Sequence, residues 1–179
     1  MRIFLDACVL FPTVTREMLL GVARAGVFEP QWSPRVLEEW APTTLKIGSE
    51  AEVFGRGEIA LLNAAWPRAE IMPNPGLQAR LWLPDPNDIH VLSAAITGSA
   101  DSIMTVNAKD FPRNILAEEG LTRIDPDSYL YQVWQASPEV VSSVADGVLA
   151  TARKLSGEDW QMRNLFKKAR LPRIGKALA

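Results

Sequence analysis

Val27-Phe28-Glu29-Pro30-Gln31-Trp32-Ser33-Pro34-Arg35-Val36-Leu37-Glu38-Glu39 passes from a short strand pattern directly into a helix. Residues 27–32 supply the strand. Ser33 offers a side-chain oxygen to the free amides of the first helical turn, and Pro34 fits the first helical position, where no amide donor is needed. The same order stands upstream. Arg2-Ile3-Phe4-Leu5-Asp6 reads as a buried parallel strand ended by an acid, and residues 13–25 carry Met18, Leu19, Val22 and Ala23 at helical spacing before Gly26 closes the helix. Strand and helix in alternation are the pattern of an α/β sheet.

Downstream, residues 42–67 are expected to be helical in two pieces, broken around Gly55-Arg56-Gly57, as a hairpin beside the sheet. Residues 69–72 read as a short strand and residues 73–76 as a loop. Leu83-Pro84-Asp85-Pro86-Asn87-Asp88-Ile89-His90-Val91-Leu92 then opens an apolar helix, with Asp85 at the cap, Asp88 in the first turn and Gly98 at the stop. Residues 102–106 are a buried strand, followed at once by Asn107 and Asp110, and residues 121–124 a last strand. The remainder is helical by pattern. Residues 127–134 form a short helix, Ser137-Pro138-Glu139 starts a longer one with Val140, Val141, Val144, Val148, Leu149 and Ala152 on one face, and Ser156 is expected to cap a third with Trp160, Leu165 and Phe166. The expected architecture is a parallel-sheet domain over residues 1–130 with flanking helices, and a helical extension over 131–179 that packs on it or forms a partner or homodimer surface.

With 179 residues, 47% of them apolar, the chain can bury a core of its own. Cys8 stands alone, so no intramolecular disulfide forms and a reducing cytoplasm is the simplest compartment. The N-terminus is too short in apolar residues for a signal peptide, and no run reaches the length of a membrane span. The net charge of −2 hides an asymmetry: residues 1–150 hold 11 Lys+Arg against 19 Asp+Glu, whereas residues 151–179 hold 8 against 2. A basic segment beside an acidic body meets phosphates, an acidic partner or its own domain.

The acids sort by the rule that ligands gather at the carboxyl edge of a parallel sheet. Asp6 ends a strand, Glu39 lies on a helix that follows one, Asp85 and Asp88 begin a helix, and Asp110 follows a third strand, so all five can face one edge. Asp101 precedes its strand and belongs at the opposite edge. Glu38 is about a hundred degrees from Glu39 around the helix, so only one of the two faces the site. Crowded carboxylates need a compensating cation, since burying them unpaired costs several kcal/mol each, on the order given for desolvated ions. The motifs bring no cluster of Lys or Arg, and His90, the single histidine, is too isolated for a zinc site. Oxygen ligands suit Mg²⁺ or Mn²⁺, and the chemistry implied is phosphodiester hydrolysis. A haloacid-dehalogenase-type phosphatase would need an acid where Cys8 stands, and a dinucleotide-binding fold a glycine-rich turn where Ala7-Cys8-Val9 stands.

Phe4-Leu5-Asp6, Ser33-Pro34-Arg35-Val36-Leu37-Glu38-Glu39-Trp40, residues 83–95 and Thr105-Val106-Asn107-Ala108-Lys109-Asp110-Phe111 resemble the motifs of PIN domains, in the order of that family. The resemblance spans roughly residues 1–130. It implies an α/β three-layer fold on a parallel sheet and a metal-dependent endoribonuclease, of the kind that serves as the toxin of bacterial toxin–antitoxin pairs, with RNA as substrate and an antitoxin protein as partner. It places Asp6, Glu39, Asp88 and Asp110 as catalytic and metal-binding residues for Mg²⁺ or Mn²⁺, with Asp85 as a further ligand or only a cap. The last motif departs from the commoner form, because Asn107 stands where an acid often does. Asn107 then supports the site through a water or the metal's outer shell. The alternative implied by that departure is a PIN-like fold turned into a binding or scaffolding module.

Overall fold

The computed structural model describes residues 1–39 and 49–179 and, among these, all side chains but those of residues 49–52 and 54. Trp40 and the first part of the expected 42–67 hairpin lie outside the described residues. The strands are β1 (Arg2–Leu5), β2 (Glu29–Gln31), β3 (Ser102–Met104) and β4 (Thr122–Ile124). The helices are α1 (Ala7–Leu10), α2 (Thr13–Arg24), α3 (Pro34–Glu38), α4 (Ser49–Ala65), α5 (Pro75–Gln78), α6 (Ile89–Thr97), α7 (Arg113–Glu118), α8 (Pro126–Ala136), α9 (Pro138–Ser156), α10 (Met162–Lys168) and α11 (Pro172–Ala177). By contact the chain divides into two compact units, Met1–Cys8 with Glu29–Arg123, and Val9–Phe28 with Ile124–Ala179.

The first unit is built on a four-stranded, all-parallel sheet in the order β2-β1-β3-β4. Phe4 of β1 stands opposite Gln31 on one side and Ile103 on the other. Pro30, which cannot donate to a ladder, sits in β2 at the sheet edge, where that loss is tolerated. Ile3, Phe4, Leu5, Ile103 and Met104 are fully buried. These strands are apolar on both faces, as a parallel sheet covered by helices requires. Each such side chain contributes about 1.5–3 kcal/mol by leaving water. The helix α6 packs on β1 and β3. It is buried from His90 to Ala95 without a polar face, which explains the near-continuous apolar run that marks it in the sequence.

Several expectations shift in detail. The expected strand at residues 69–72 contracts to one parallel bridge, Trp32 to Glu70, tied by Trp32 N to Ala69 O (3.0 Å) and Ile71 N to Trp32 O (2.7 Å). Gly55-Arg56-Gly57 does not break the helix there, because α4 runs through all three. Glycine costs about 1 kcal/mol in a helix interior, a penalty that packing overrides, and Leu62 on the same helix is buried. Gly98 does end α6, but at φ −78° rather than in the left-handed region, which Ser99 occupies at φ 51°. What suits glycine there is proximity. A Cβ would lie 2.6 Å from Gln31 Oε1, and Gln31 Nε2 donates to Gly98 O at 2.8 Å.

The second unit is helical apart from the end of β4. Met18, Leu19 and Val22 of α2 are fully buried, and Gly21 gives the room that lets Val144 of α9 press against the α2 backbone. The expected apolar face of α9 is centred on fully buried Val141 and Ala145. Ser156 does not open the next helix. It is the last residue of α9, the chain turns at Gly157 (φ 70°), and α10 begins at Met162. Ser156 Oγ instead accepts from Glu158 N (3.1 Å) and Trp160 Nε1 (3.1 Å). The helix α11 has no counterpart among the expected elements. It is capped across the chain by Asp127, whose carboxylate accepts from the amides of Arg173 and Ile174 at 2.9 Å each. Among the described residues no helix is long and apolar enough to cross a membrane.

Candidate metal centre

The strand order fixes where a ligand belongs. From β1 the chain moves to β2 on one side and later to β3 on the other, so the order reverses between β1 and β3 and leaves a crevice at their carboxyl ends. Asp6 follows β1 and Thr105 follows β3 at that boundary. Asp6 N donates to Met104 O (3.1 Å), extending the β1–β3 ladder by one residue into the crevice.

Asp6 is 7% exposed, and both its oxygens are engaged. Oδ1 accepts from Ala7 N (2.7 Å); Oδ2 accepts from the Thr105 hydroxyl (2.7 Å) and the Cys8 thiol (3.2 Å). Thr105 Oγ1 in turn accepts from Asn107 N (3.0 Å), and Asn107 Nδ2 donates to Asp110 Oδ2 (2.7 Å). A chain of polar contacts therefore runs from the end of β1 through the end of β3 to Asp110. It fixes two acids that are far apart in sequence.

Asp85, Asp88 and Asp110 converge. Each presents a carboxylate oxygen within 4.8 Å of the others, and all three are half-buried. Asp85 caps the 3₁₀ turn Pro86–Asp88, its Oδ1 accepting from Asn87 N (2.9 Å), so cap and cluster member are the same side chain. Burial pushes the Asp88 carboxyl up, and the charges of Asp6, Asp85, Asp110 and Glu39 add to it, to about 6 from an ordinary 3.8. The other four expected acids all bear on the Asp88 carboxyl. Their contributions differ: Asp85, Asp88 and Asp110 form the compact trio, while Asp6 and Glu39 stand outside it and act through their charge.

Glu39 follows α3 at its C-terminal cap, and its Oε1 lies 2.9 Å from His90 Nε2. The contact is short but bent away from the ring N–H direction, so neither imidazole nitrogen makes a well-formed hydrogen bond. His90 is 3% exposed, in line with a packed histidine, yet its edge meets one of the expected acids. Glu38 points elsewhere and pairs with Arg56 (3.4 Å). Asp101 accepts from Arg2 N (2.6 Å) at the opposite end of the strands, as its place before β3 requires.

Cys8 is a structural donor. Burial and the neighbouring Asp6 charge raise its thiol to about 12, so it stays protonated at neutral pH and unreactive. Sequence reasoning missed the positioning roles of Cys8, Thr105 and His90. Thr105 carried the best signal, a hydroxyl directly after a strand and two residues before Asn107.

The donor set suits a hard cation. Three carboxylates converge with no lysine or arginine in ion-pair contact with any of them among the described residues, and burial together with the neighbouring carboxylates makes Asp88 hold its proton unusually well. A divalent ion would satisfy all three. No protein-family model, curated protein or solved structure matches the chain.

Proposed function

We propose that the sheet-bearing unit is a PIN-like, Mg²⁺- or Mn²⁺-dependent endoribonuclease, acting as the toxin of a toxin–antitoxin pair. The observation that carries this reading is the meeting of Asp85, Asp88 and Asp110 within 4.8 Å beside a strand-order crevice. In it, those three carboxylates hold the cation, and Glu39 and Asp6 add negative charge around it. Asp6 is held by Thr105 and Cys8, so its field on Asp88 is fixed in direction. Asn107 steers Asp110 by donating to one of its oxygens and leaves the other for a ligand. When bound, the cation supplies Lewis-acid polarisation of a phosphodiester and a water of lowered pKa.

One contact favours a second reading, a binding or scaffolding module. The Asn107 amide is donated to Asp110, where a further acid would strengthen cation binding. Cleavage of a labelled RNA pool with Mn²⁺, with and without EDTA, separates the two, comparing wild type with Asp88→Asn. Mn²⁺-dependent cleavage that Asp88→Asn loses is the expected result. Equal cleavage by both proteins rules out the site, and Mn²⁺ binding without cleavage by wild type selects the binding module.

A further inference from the structure

The two last helices present a cationic face. Leu165 and Phe166 of α10 and Ile174 and Gly175 of α11 are buried, which places Arg163, Lys167, Arg173 and Lys176 on the outer side, together with Arg170 in the turn between the helices. All five are exposed. Among the described residues Arg163, Lys167, Arg170 and Lys176 are within ion-pair distance of no carboxylate. Exposed cations left unpaired along consecutive helices attract a polyanion.

Aromatic rings lie beside two cations of this segment, Arg173 and the neighbouring Lys168. The Arg173 guanidinium lies 4.1 Å over the Tyr131 ring, and Tyr131 is 5.7 Å from Trp134 at an interplanar angle of 32°. Lys168 lies 4.8 Å over Trp160. Tyr131, Trp134 and Trp160 are all half-buried, so each ring keeps an edge or face toward solvent. Cations that track phosphates beside planar groups that stack bases are the requirements of single-stranded nucleic acid binding. An acidic peptide would use the charges but not the rings.

We propose that the outer face of α10 and α11 binds the phosphate backbone of single-stranded RNA, with Tyr131 and Arg173 as a stacking platform for a base. This gives the proposed ribonuclease its substrate-holding surface and rests on that reading for its biological purpose, though not for its measurement. The test is fluorescence anisotropy of labelled oligouridylate in EDTA, where no cleavage occurs, across a salt series. It compares full-length wild type, the triple variant Arg163→Gln/Lys167→Gln/Lys176→Gln and the charge-preserving Lys167→Arg/Lys176→Arg.

Affinity should fall at least about tenfold in the triple variant, and the slope of log affinity against log salt should lessen by about 2, at about 0.7 per lost phosphate contact. The charge-preserving variant should bind as wild type does. Equal affinity and slope in wild type and triple variant overturn the proposal. So does retention of wild type by polyglutamate with no affinity for oligouridylate, which assigns the face to an acidic protein. Charge-dependent RNA binding without Mn²⁺-supported cleavage leaves this surface standing and sinks the nuclease reading. Cleavage with unchanged binding by the triple variant does the reverse.

Discussion

The two units divide the chain's charge between them. The sheet-bearing unit holds 9 Lys+Arg against 14 Asp+Glu, and the helical unit 10 against 7. Three acids of the first converge from two separate segments, whereas cations of the second spread along the outside of consecutive helices. Concentrated negative charge suits a small hard cation, and dispersed positive charge suits an extended polyanion. A chain with net charge −2 would look unremarkable if only the total were read.

Substitutions can break this contrast one unit at a time. The largest effect belongs to the trio: Asp88→Asn should lower Mn²⁺-dependent RNA cleavage by on the order of 10²–10³-fold, read from initial rates at saturating Mn²⁺. In the helical unit the largest effect is on packing. Gly21→Ala drives a methyl into Val144 and should cost about 1–3 kcal/mol, measured by urea denaturation, with the Mn²⁺ affinity of the folded protein unchanged. A loss of Mn²⁺ affinity in that variant would show that the units do not behave independently.

Thr105→Val tests how far the crevice depends on its supporting hydrogen bonds. It removes the hydroxyl that joins Asp6 to Asn107 and should weaken Mn²⁺ binding by about 10–100-fold in calorimetry, the range for groups that orient ligands. The smallest effect is a pH dependence. Asp88, raised to about 6, holds its proton more tightly in the fold than in the unfolded chain, so its own contribution to stability is full below about pH 4 and is lost as pH rises through 6. Asp88→Asn abolishes that decline. After allowance for solvent screening at a half-buried site, the gain at pH 8 is about 1 kcal/mol, or about 2–4 °C in Tm for a chain of this size, and it vanishes at pH 4. Adding Mn²⁺ should stabilise wild type at pH 8 and release protons near pH 6, and not do so in the variant.

Much of this was legible locally. Ser33 and Asp85 cap their helix starts as their sequence context demands, accepting from Val36 N (3.2 Å) and Asn87 N (2.9 Å), because a cap needs only its own next few residues. The apolar runs of β1, β3 and α6 likewise announce themselves, since a segment buried on every side must be apolar throughout. Where local signals misled, packing had the last word, as in the uninterrupted α4 and in α9, which runs on to Ser156.

By itself the sequence determined the α/β class, the positions of Asp6, Asp85 and Asp88 relative to a strand or helix end, and the basic character of the last segment, but it placed Glu39 in the first turns of a helix that in fact ends there. All of these depend on spacing along the chain. Only the tertiary structure decided which acids share a cation-sized space, because Asp110 meets Asp85 and Asp88 through the order of strands rather than through any neighbouring residue. It also decided that Asp6 is gripped by Thr105, 99 positions away, and that His90 touches Glu39. Long-range polar contacts are made between elements that the fold must first bring side by side.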